Sequence, residues 1–167
     1  YLALSDGMGQ GKMAANESKL TLEVLSKLIL NGIGLKDTID SINALLKIKN
    51  RNDMFTTLDL CNINLANARM KLIKYGANPS YHIRSGMVEK IATNSLPVGV
   101  VSKLKMVSYE MPLKNNDLII MSSDGTGNDH LYCDQHPQEI ATFLMDQVLE
   151  KNNLDDISII VIKVVNN

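Results

Sequence analysis

The chain has 167 residues, of which 45% are hydrophobic and 21% are charged, and its formal net charge at pH 7 is -1. This size and composition predict one globular domain over residues 1–167, able to bury a core of ordinary volume. The near-neutral charge excludes the basic surface on which binding to nucleic-acid phosphates depends, so we expect no nucleic-acid partner. The two cysteines, Cys61 and Cys133, are too few for a disulfide framework, which fits a reducing cytosolic setting.

The apolar runs of the sequence are short. None approaches the roughly 20 residues that cross a bilayer, and the first five residues lack the regions of a signal peptide. We therefore expect a soluble domain at the cytoplasmic face that makes no membrane contact itself. The chain starts without a methionine and inside a predicted strand. We expect it to be part of a longer protein, and a membrane anchor upstream is left open.

The first third of the chain predicts one strand and two helices. Residues 1–5 are an apolar run that ends at an Asp-Gly step, which predicts a strand followed by a tight turn. Apolar residues at helical spacing predict a first helix over residues 13–30, ended by an Asn-Gly step. They predict a second helix from Leu35 to the polar stretch at 49–53.

The rest of the chain is mostly extended. The predicted strands are residues 54–64, 69–75, 81–84, 87–91, 105–110 and 118–121. Hairpin turns are predicted at residues 65–68 and at Ser85-Gly86. A helix that starts at Pro137 and a buried, β-branched closing strand over residues 157–165 complete the order.

Three aspartates, Asp6, Asp124 and Asp155, stand at the ends of predicted strands rather than on solvated faces. If these strands lie side by side in one sheet, the carboxylates converge at its edge, where a cation makes their repulsion tolerable. Hard oxygen ligands select Mg²⁺ or Mn²⁺. Taken singly, an Asp-Gly step is more often a simple turn, because Asp tolerates the turn and Gly supplies positive φ. The three together, in this order, favour a metal site.

Three blocks of sequence surround these aspartates: Asp6-Gly7-Met8-Gly9, Ser123-Asp124-Gly125 and Asp155-Asp156-Ile157-Ser158. Their order resembles the signature blocks of the metal-dependent (PPM, type 2C) serine/threonine protein phosphatases, and most closely the SpoIIE-like branch of that family. Residues 55–60, 76–80 and 96–99 resemble segments of the same branch in the same order, so the likeness covers nearly the whole chain.

The resemblance implies a fold and a site. The implied fold is an α/β (α+β) sandwich of two mainly antiparallel β-sheets covered by helices. Asp6 is implied to bridge two metal ions, Mn²⁺ or Mg²⁺. The backbone carbonyl of Gly7 is implied to join one ion, and Asp124 and Asp155 to hold the other. Asp156 occupies a place where many relatives have asparagine, so it either binds a metal or supports a ligand.

The implied chemistry is hydrolysis of phosphoserine or phosphothreonine on a regulatory protein. In such a site two metals lower the pKa of a shared water and clamp the phosphate oxygens, so no protein nucleophile is required. This agrees with a sequence that offers no recognisable Ser-His-Asp or Cys-His arrangement. The implied substrate is a phosphorylated anti-anti-sigma factor in sporulation, with a stress-response partner-switching phosphatase as the alternative. Homodimerisation is left open.

Two departures from the family matter. Family members place a strand or two, with a further acidic residue, before the first block, and the loop after Asp124 is shorter here. A non-catalytic partner-binding or metal-binding module of the same fold is therefore the second hypothesis. In the SpoIIE-like branch the helices after the first block, here about residues 13–47, are implied to couple partner contacts to assembly of the metal site.

The glycine-rich run at residues 7–12 does not predict a nucleotide-binding loop. Asp6 stands where a P-loop needs its first glycine, and Met13 stands where it needs Ser or Thr. We expect these glycines to give flexibility near the metal site instead.

Histidines offer a weaker metal hypothesis. His130, Cys133 and His136 lie three apart in a polar loop, but with only three candidate ligands a solvated loop is favoured over a zinc site. His82 lies within a predicted strand, where a packing or surface role is favoured over metal binding.

Overall fold

The structure is a computed structural model, and it describes residues 1–9, 11–49, 55–123, 136–150 and 156–165. The elements in these residues are β1 (Leu2–Leu4), α1 (Lys12–Leu30), α2 (Leu35–Lys49), β2 (Leu58–Asn64), β3 (Arg69–Tyr75), β4 (Ser80–Arg84), β5 (Met87–Ile91), β6 (Ser108–Pro112), β7 (Leu118–Ser122), α3 (Pro137–Glu150) and β8 (Ile159–Lys163). The strands form two four-stranded sheets, of order β1-β2-β3-β6 and β5-β4-β7-β8. The predicted sandwich class of sheets with covering helices is confirmed.

The chain divides into two compact units. The first comprises Tyr1–Asn62, Lys71–Ala77 and Thr93–Tyr109, and the second comprises Ile63–Met70, Asn78–Ala92 and Glu110–Asn167. Among the described residues, no helix has both the length and the apolar character that spanning a membrane requires.

The first unit packs α1 and α2 over strands of the first sheet. β1 pairs antiparallel with β2, with Leu2 opposite Cys61 and Leu4 opposite Asp59. The apolar face predicted for α2 is largely buried here, whereas that of α1 is mostly half-buried, with Leu25 buried and Met13 exposed. The buried core of this unit comprises Leu25, Ile39, Ile42, Leu46, Leu58, Leu60, Ile73, Tyr75 and Val98.

The end of α1 follows the Asn-Gly step that the sequence places there. Gly32 has φ +79, its N–H donates to the Ile29 carbonyl at 2.9 Å, and the Ile33 N–H donates to the Leu28 carbonyl at 3.0 Å. This pair of bonds is the Schellman arrangement, which needs a residue that tolerates positive φ. Glycine supplies that conformation without steric cost, and α1 ends where predicted.

The second unit packs α3 against β8, and its sheet is antiparallel throughout. The predicted turn between β4 and β5 is confirmed: Ser85 and Gly86 have φ +50 and +78. Positive φ at both central residues suits the twist of a two-residue hairpin. The buried core comprises Tyr81, Ile83, Leu118, Ile120, Ile140 and Leu144.

The start of α3 is capped by a histidine rather than by a hydroxyl. His136 Nδ1 accepts from the Gln138 N–H at 3.3 Å, and the Glu139 carboxylate accepts from the His136 N–H at 3.2 Å. Two amide hydrogens that the helix leaves without partners are thus satisfied reciprocally, as in a capping box. Pro137 stands at the first helical position, as predicted.

Some predicted boundaries are wrong. β2 begins at Leu58 rather than at residue 54, because Thr56 forms isolated bridges with Gly7 and Val98 instead of extending the strand. The strand predicted at 105–110 lies at Ser108–Pro112. The closing strand is half-buried rather than buried, because β8 is an edge strand of the second sheet.

Candidate metal centre

Asp6 lies two residues after β1, and its backbone is held by the segment before β2. The Asp6 N–H donates to Thr57 Oγ1 at 2.9 Å, and the Asp6 carbonyl accepts from the Thr57 N–H and from the Thr56 hydroxyl, each at 2.8 Å. Further on, the Met8 N–H donates to the Phe55 carbonyl at 2.8 Å. Bonds on both sides of the Asp6–Gly7 peptide therefore fix where the half-buried Asp6 leaves the strand.

Gly7 is buried and lies against the backbone of α1. A Cβ atom built on Gly7 would stand 2.0 Å from the Ala14 carbonyl oxygen, a distance that no real side chain tolerates. The lack of space therefore requires glycine at this position. Gly9 and Gly11 differ, because their surroundings are open and their φ angles are +112 and +82. Close packing at Gly7, not flexibility, is the physical reason for the first of these glycines.

In the second unit, the end of β7 and the start of β8 are paired. Ser122 stands opposite Ile159, the Ser123 N–H donates to the Ser158 carbonyl at 3.0 Å, and the Ser158 N–H donates to Ser123 Oγ at 2.9 Å. Asn78 Nδ2 also donates to the Ser123 carbonyl, at 2.5 Å. Ser123 is the described residue that precedes Asp124. The bond from Asn78 therefore fixes the backbone just before a predicted metal ligand.

The structure describes three of the predicted site residues. Asp6 and Gly7 belong to the first unit, and Asp156 is exposed in the second, at the entry to β8. Asp124 and Asp155 lie outside the described residues. The three aspartates are expected to converge if their strands share one sheet. That condition is wrong, because β1 belongs to the first sheet and β7 and β8 to the second.

The donors available at these positions suit a hard cation. Asp6, Gly7 and Asp156 offer carboxylate or carbonyl oxygens, which Mg²⁺ and Mn²⁺ prefer to nitrogen or sulfur. Within the described ranges, no group of three His, Cys, Asp or Glu side chains is close enough to hold a metal ion. His130 and Cys133 of the zinc hypothesis lie outside those ranges, and His136 caps α3.

A buried ion pair lies in the first unit, where the sequence gives no hint of one. The Lys74 ammonium bonds the Asp59 carboxylate, and both side chains are at most 2% exposed. Burial lowers the pKa of Lys74, and the Asp59 charge opposes that change. Burial and the Asp59 charge also raise the pKa of Cys61 to about 12. This thiol is therefore protonated at neutral pH and is not a nucleophile.

His82 belongs to a polar cluster in the second unit. Its Nε2 lies 3.2 Å from Asp117 Oδ2, within ion-pair distance, although the two atoms lack hydrogen-bond geometry. Arg84 donates to both oxygens of Asp117, at 2.8 and 2.6 Å. His82 is buried, which agrees with the packing alternative and not with the surface one.

Comparisons with known proteins agree with this architecture. The family model described as Stage II sporulation protein E (SpoIIE) matches residues 1–165. Stage II sporulation protein E of Bacillus subtilis (strain 168) is 33% identical over 99% of this chain and 22% of its own length. Its namesake from Priestia megaterium is 34% identical over 99% of this chain. The chain spans only 32% of that relative's length.

Solved structures give the same result. The PP2C phosphatase domain of SpoIIE from Bacillus subtilis, solved with a fragment of its regulatory domain, matches with a TM-score of 0.81 and 32% identity, covering 97% of this chain and 53% of that one. The catalytic domain of the serine/threonine protein phosphatase PstP, in complex with two manganese ions, shares the fold at a TM-score of 0.81 and 20% identity, covering 99% of this chain and 87% of that one. The chain belongs to the stage II sporulation protein E family and has the fold of the PP2C phosphatase domain of SpoIIE.

Proposed function

We propose that this chain hydrolyses phosphoserine or phosphothreonine on a regulatory protein, with water activated by two Mn²⁺ or Mg²⁺ ions. The observation that carries the proposal is the fixed backbone around Asp6 and Gly7, which holds a carboxylate and a neighbouring carbonyl shortly after β1. Membership of the SpoIIE family supports the same chemistry.

The proposed ligands are Asp6, the Gly7 carbonyl, Asp124 and Asp155, with Asp156 as a ligand or as a support for one. When bound, the ions would supply Lewis acidity that activates water and balances the charge of the phosphate. The residues of this chain hold the ligand groups in place and orient them. Asp6 extends its carboxylate from a hydrogen-bonded backbone. The bonds among Asn78, Ser123 and Ser158 fix the backbone just before Asp124.

The substrate that we propose is a phosphorylated anti-anti-sigma factor. Support comes from the relatives, which are named for a stage of sporulation. Because the chain spans 22% and 32% of those relatives, contacts made by the rest of such a protein would contribute to substrate choice. A stress-response phosphoprotein of the same partner-switching type is the alternative.

Phosphatase activity with Mn²⁺ titrated in tests the proposal. The assays use an aryl phosphate and a phosphoserine protein, and they compare the wild type with Asp6→Asn and Asp37→Asn. Asp37 is an exposed carboxylate of α2, so its variant controls for loss of one negative charge. We expect Mn²⁺-dependent activity in the wild type and in Asp37→Asn, and a loss of at least about 100-fold in Asp6→Asn. A folded wild type without activity would favour the non-catalytic module.

A further inference from the structure

Thr56 pairs with two backbone segments of the first unit, one on each side of it. It is fully buried and forms antiparallel bridges with Gly7 on one side and Val98 on the other. The Thr56 N–H donates to the Val98 carbonyl at 3.1 Å, and the Val98 N–H donates to the Thr56 carbonyl at 2.9 Å. Its hydroxyl donates to the Asp6 carbonyl at 2.8 Å. Thr56 thus links Asp6–Gly7 to the segment that contains Val98.

The segment behind Thr56 is itself anchored to a helix. Asn43 of α2 is 3% exposed, its Oδ1 accepts from the Gly99 N–H at 2.8 Å, and its Nδ2 donates to the Val101 carbonyl at 2.9 Å. A side chain that satisfies both the backbone donor and the backbone acceptor fixes the segment from Val98 to Val101. Thr56 therefore has a rigid support on the side away from Asp6.

The bond from the Thr56 hydroxyl acts on the peptide between the two proposed ligands. A peptide unit is planar, so fixing the Asp6 carbonyl fixes the plane that runs from the Asp6 Cα to the Gly7 Cα. The Asp6 side chain branches from the first of these atoms, and the Gly7 carbonyl follows the second. Orientation of this one plane therefore fixes the two Cα atoms from which both oxygen donors extend.

We propose that Thr56 is a positioning residue for the metal site, and that its hydroxyl sets the metal affinity by orienting the Asp6–Gly7 peptide. The inference rests on the proposed function for the identity of the ligands. Thr56 touches neither substrate nor metal in this scheme. Groups that orient metal ligands commonly change metal affinity by about 10- to 100-fold when they are replaced.

The test is the dissociation constant for Mn²⁺, measured by the electron paramagnetic resonance signal of free Mn²⁺. Thr56→Val keeps the shape of the side chain and removes the hydroxyl, and we expect its dissociation constant to rise about tenfold. Thr56→Ser keeps the hydroxyl and is expected to bind close to the wild type. Thr38→Val is the matched control, because Thr38 is also fully buried and its hydroxyl has no hydrogen-bond partner among the described residues.

Three outcomes are decisive. Weaker binding by Thr56→Val, with unchanged binding by Thr56→Ser and Thr38→Val, supports the inference. Wild-type affinity in a folded Thr56→Val protein overturns it and leaves the proposed function intact. Absence of Mn²⁺ binding by the wild type overturns the proposed function, and this inference with it. Circular dichroism and thermal unfolding of the metal-free variants establish that each is folded.

Amide hydrogen exchange on the wild type supplies a second test that needs no variant. Because coupling between sites is reciprocal, Mn²⁺ that uses the oriented Asp6–Gly7 peptide should slow exchange of the amides that hold it. We expect greater protection at Thr57, Met8 and Val98 on Mn²⁺ saturation than at amides of α3. Equal changes at both sets would overturn the inference, even if Thr56→Val fails to fold.

Discussion

At the scale of single residues, Asp117 shows how a buried carboxylate is held charged. Its side chain is 1% exposed, and burial alone would raise its pKa. Hydrogen bonds from Arg84 and from the Lys114 amide outweigh burial, with a further contribution from His82, and they lower the pKa to about 2. The charged form is therefore more stable in the folded protein than in the unfolded chain.

This shift predicts a specific loss of stability in acid. An unfolded aspartate has a pKa of about 3.9, so the contribution of Asp117 is complete above that pH and is lost as the pH falls toward about 2. We expect this group to contribute about 2 kcal/mol to the free energy of unfolding at pH 7, of which roughly half is lost by pH 3. Urea unfolding at pH 7, 5 and 3 checks the expectation by comparing the wild type with Asp117→Asn.

The difference between the two proteins should shrink as the pH falls, because the variant has no carboxylate to protonate. A difference that stays constant between pH 7 and pH 3 would show that Asp117 is not the titrating group. Asp146→Asn, an exposed change on α3, is the control for the general effect of removing one charge.

At the scale of elements, α2 does more than cover a sheet. Its buried Asn43 ties the segment from Gly99 to Val101 to the helix through two hydrogen bonds. A buried backbone donor or acceptor that loses its partner costs about 1–3 kcal/mol. The position of α2 therefore depends on one polar side chain as well as on its apolar face.

Truncation of Asn43 should expose this dependence. We expect Asn43→Ala to lower the free energy of unfolding by about 2–4 kcal/mol, because it leaves the Gly99 N–H and the Val101 carbonyl unpaired. Ser41→Ala is the control on the same helix, since Ser41 is exposed and bonds only its own helix at Asp37. Its effect should stay within about 0.5 kcal/mol. Equal effects of the two changes in urea unfolding would contradict the role of Asn43.

The elements that the sequence predicts well are those fixed by nearby residues. Gly32 ends α1, and Ser85-Gly86 turns β4 into β5, through backbone conformations that those residue types select locally. The start of β2 is misplaced because Thr56 bridges Gly7 and Val98, both distant in sequence. Likewise Lys74 and Asp59 resemble solvent-facing strand residues until the fold brings them together.

The candidate site also has features that nearby residues fix and features that depend on distant contacts. The Asp-Gly steps are visible in the sequence, and the structure places Asp6 two residues after the end of β1. Which strands share a sheet depends on long-range pairing, and there the one-sheet condition is wrong. The sequence does not predict the roles of Asn78, Thr56 and Asn43, because these roles depend on contacts with segments far along the chain.

At the scale of the whole molecule, metal binding should couple to folding. The proposed ligands Asp6 and Asp124 are more than a hundred positions apart in the sequence, so an unfolded chain does not present them together. A ligand that binds the folded state alone raises the free energy of unfolding by about 2.7 kcal/mol at a concentration 100 times its dissociation constant. We expect Mn²⁺ at that excess to stabilise the chain by this amount, and EDTA to reverse the effect.

Thermal and urea unfolding with and without Mn²⁺ measure this coupling, and Asp6→Asn and Asp37→Asn separate site binding from weak binding to surface carboxylates. Stabilisation should vanish in Asp6→Asn and persist in Asp37→Asn, because only the first change removes a proposed ligand. Equal stabilisation of both variants would mean that Mn²⁺ acts elsewhere on the molecule, and Asp6 would then be excluded as the bridging ligand. Since this measurement needs no substrate, it decides the metal site independently of which phosphoprotein the chain acts on.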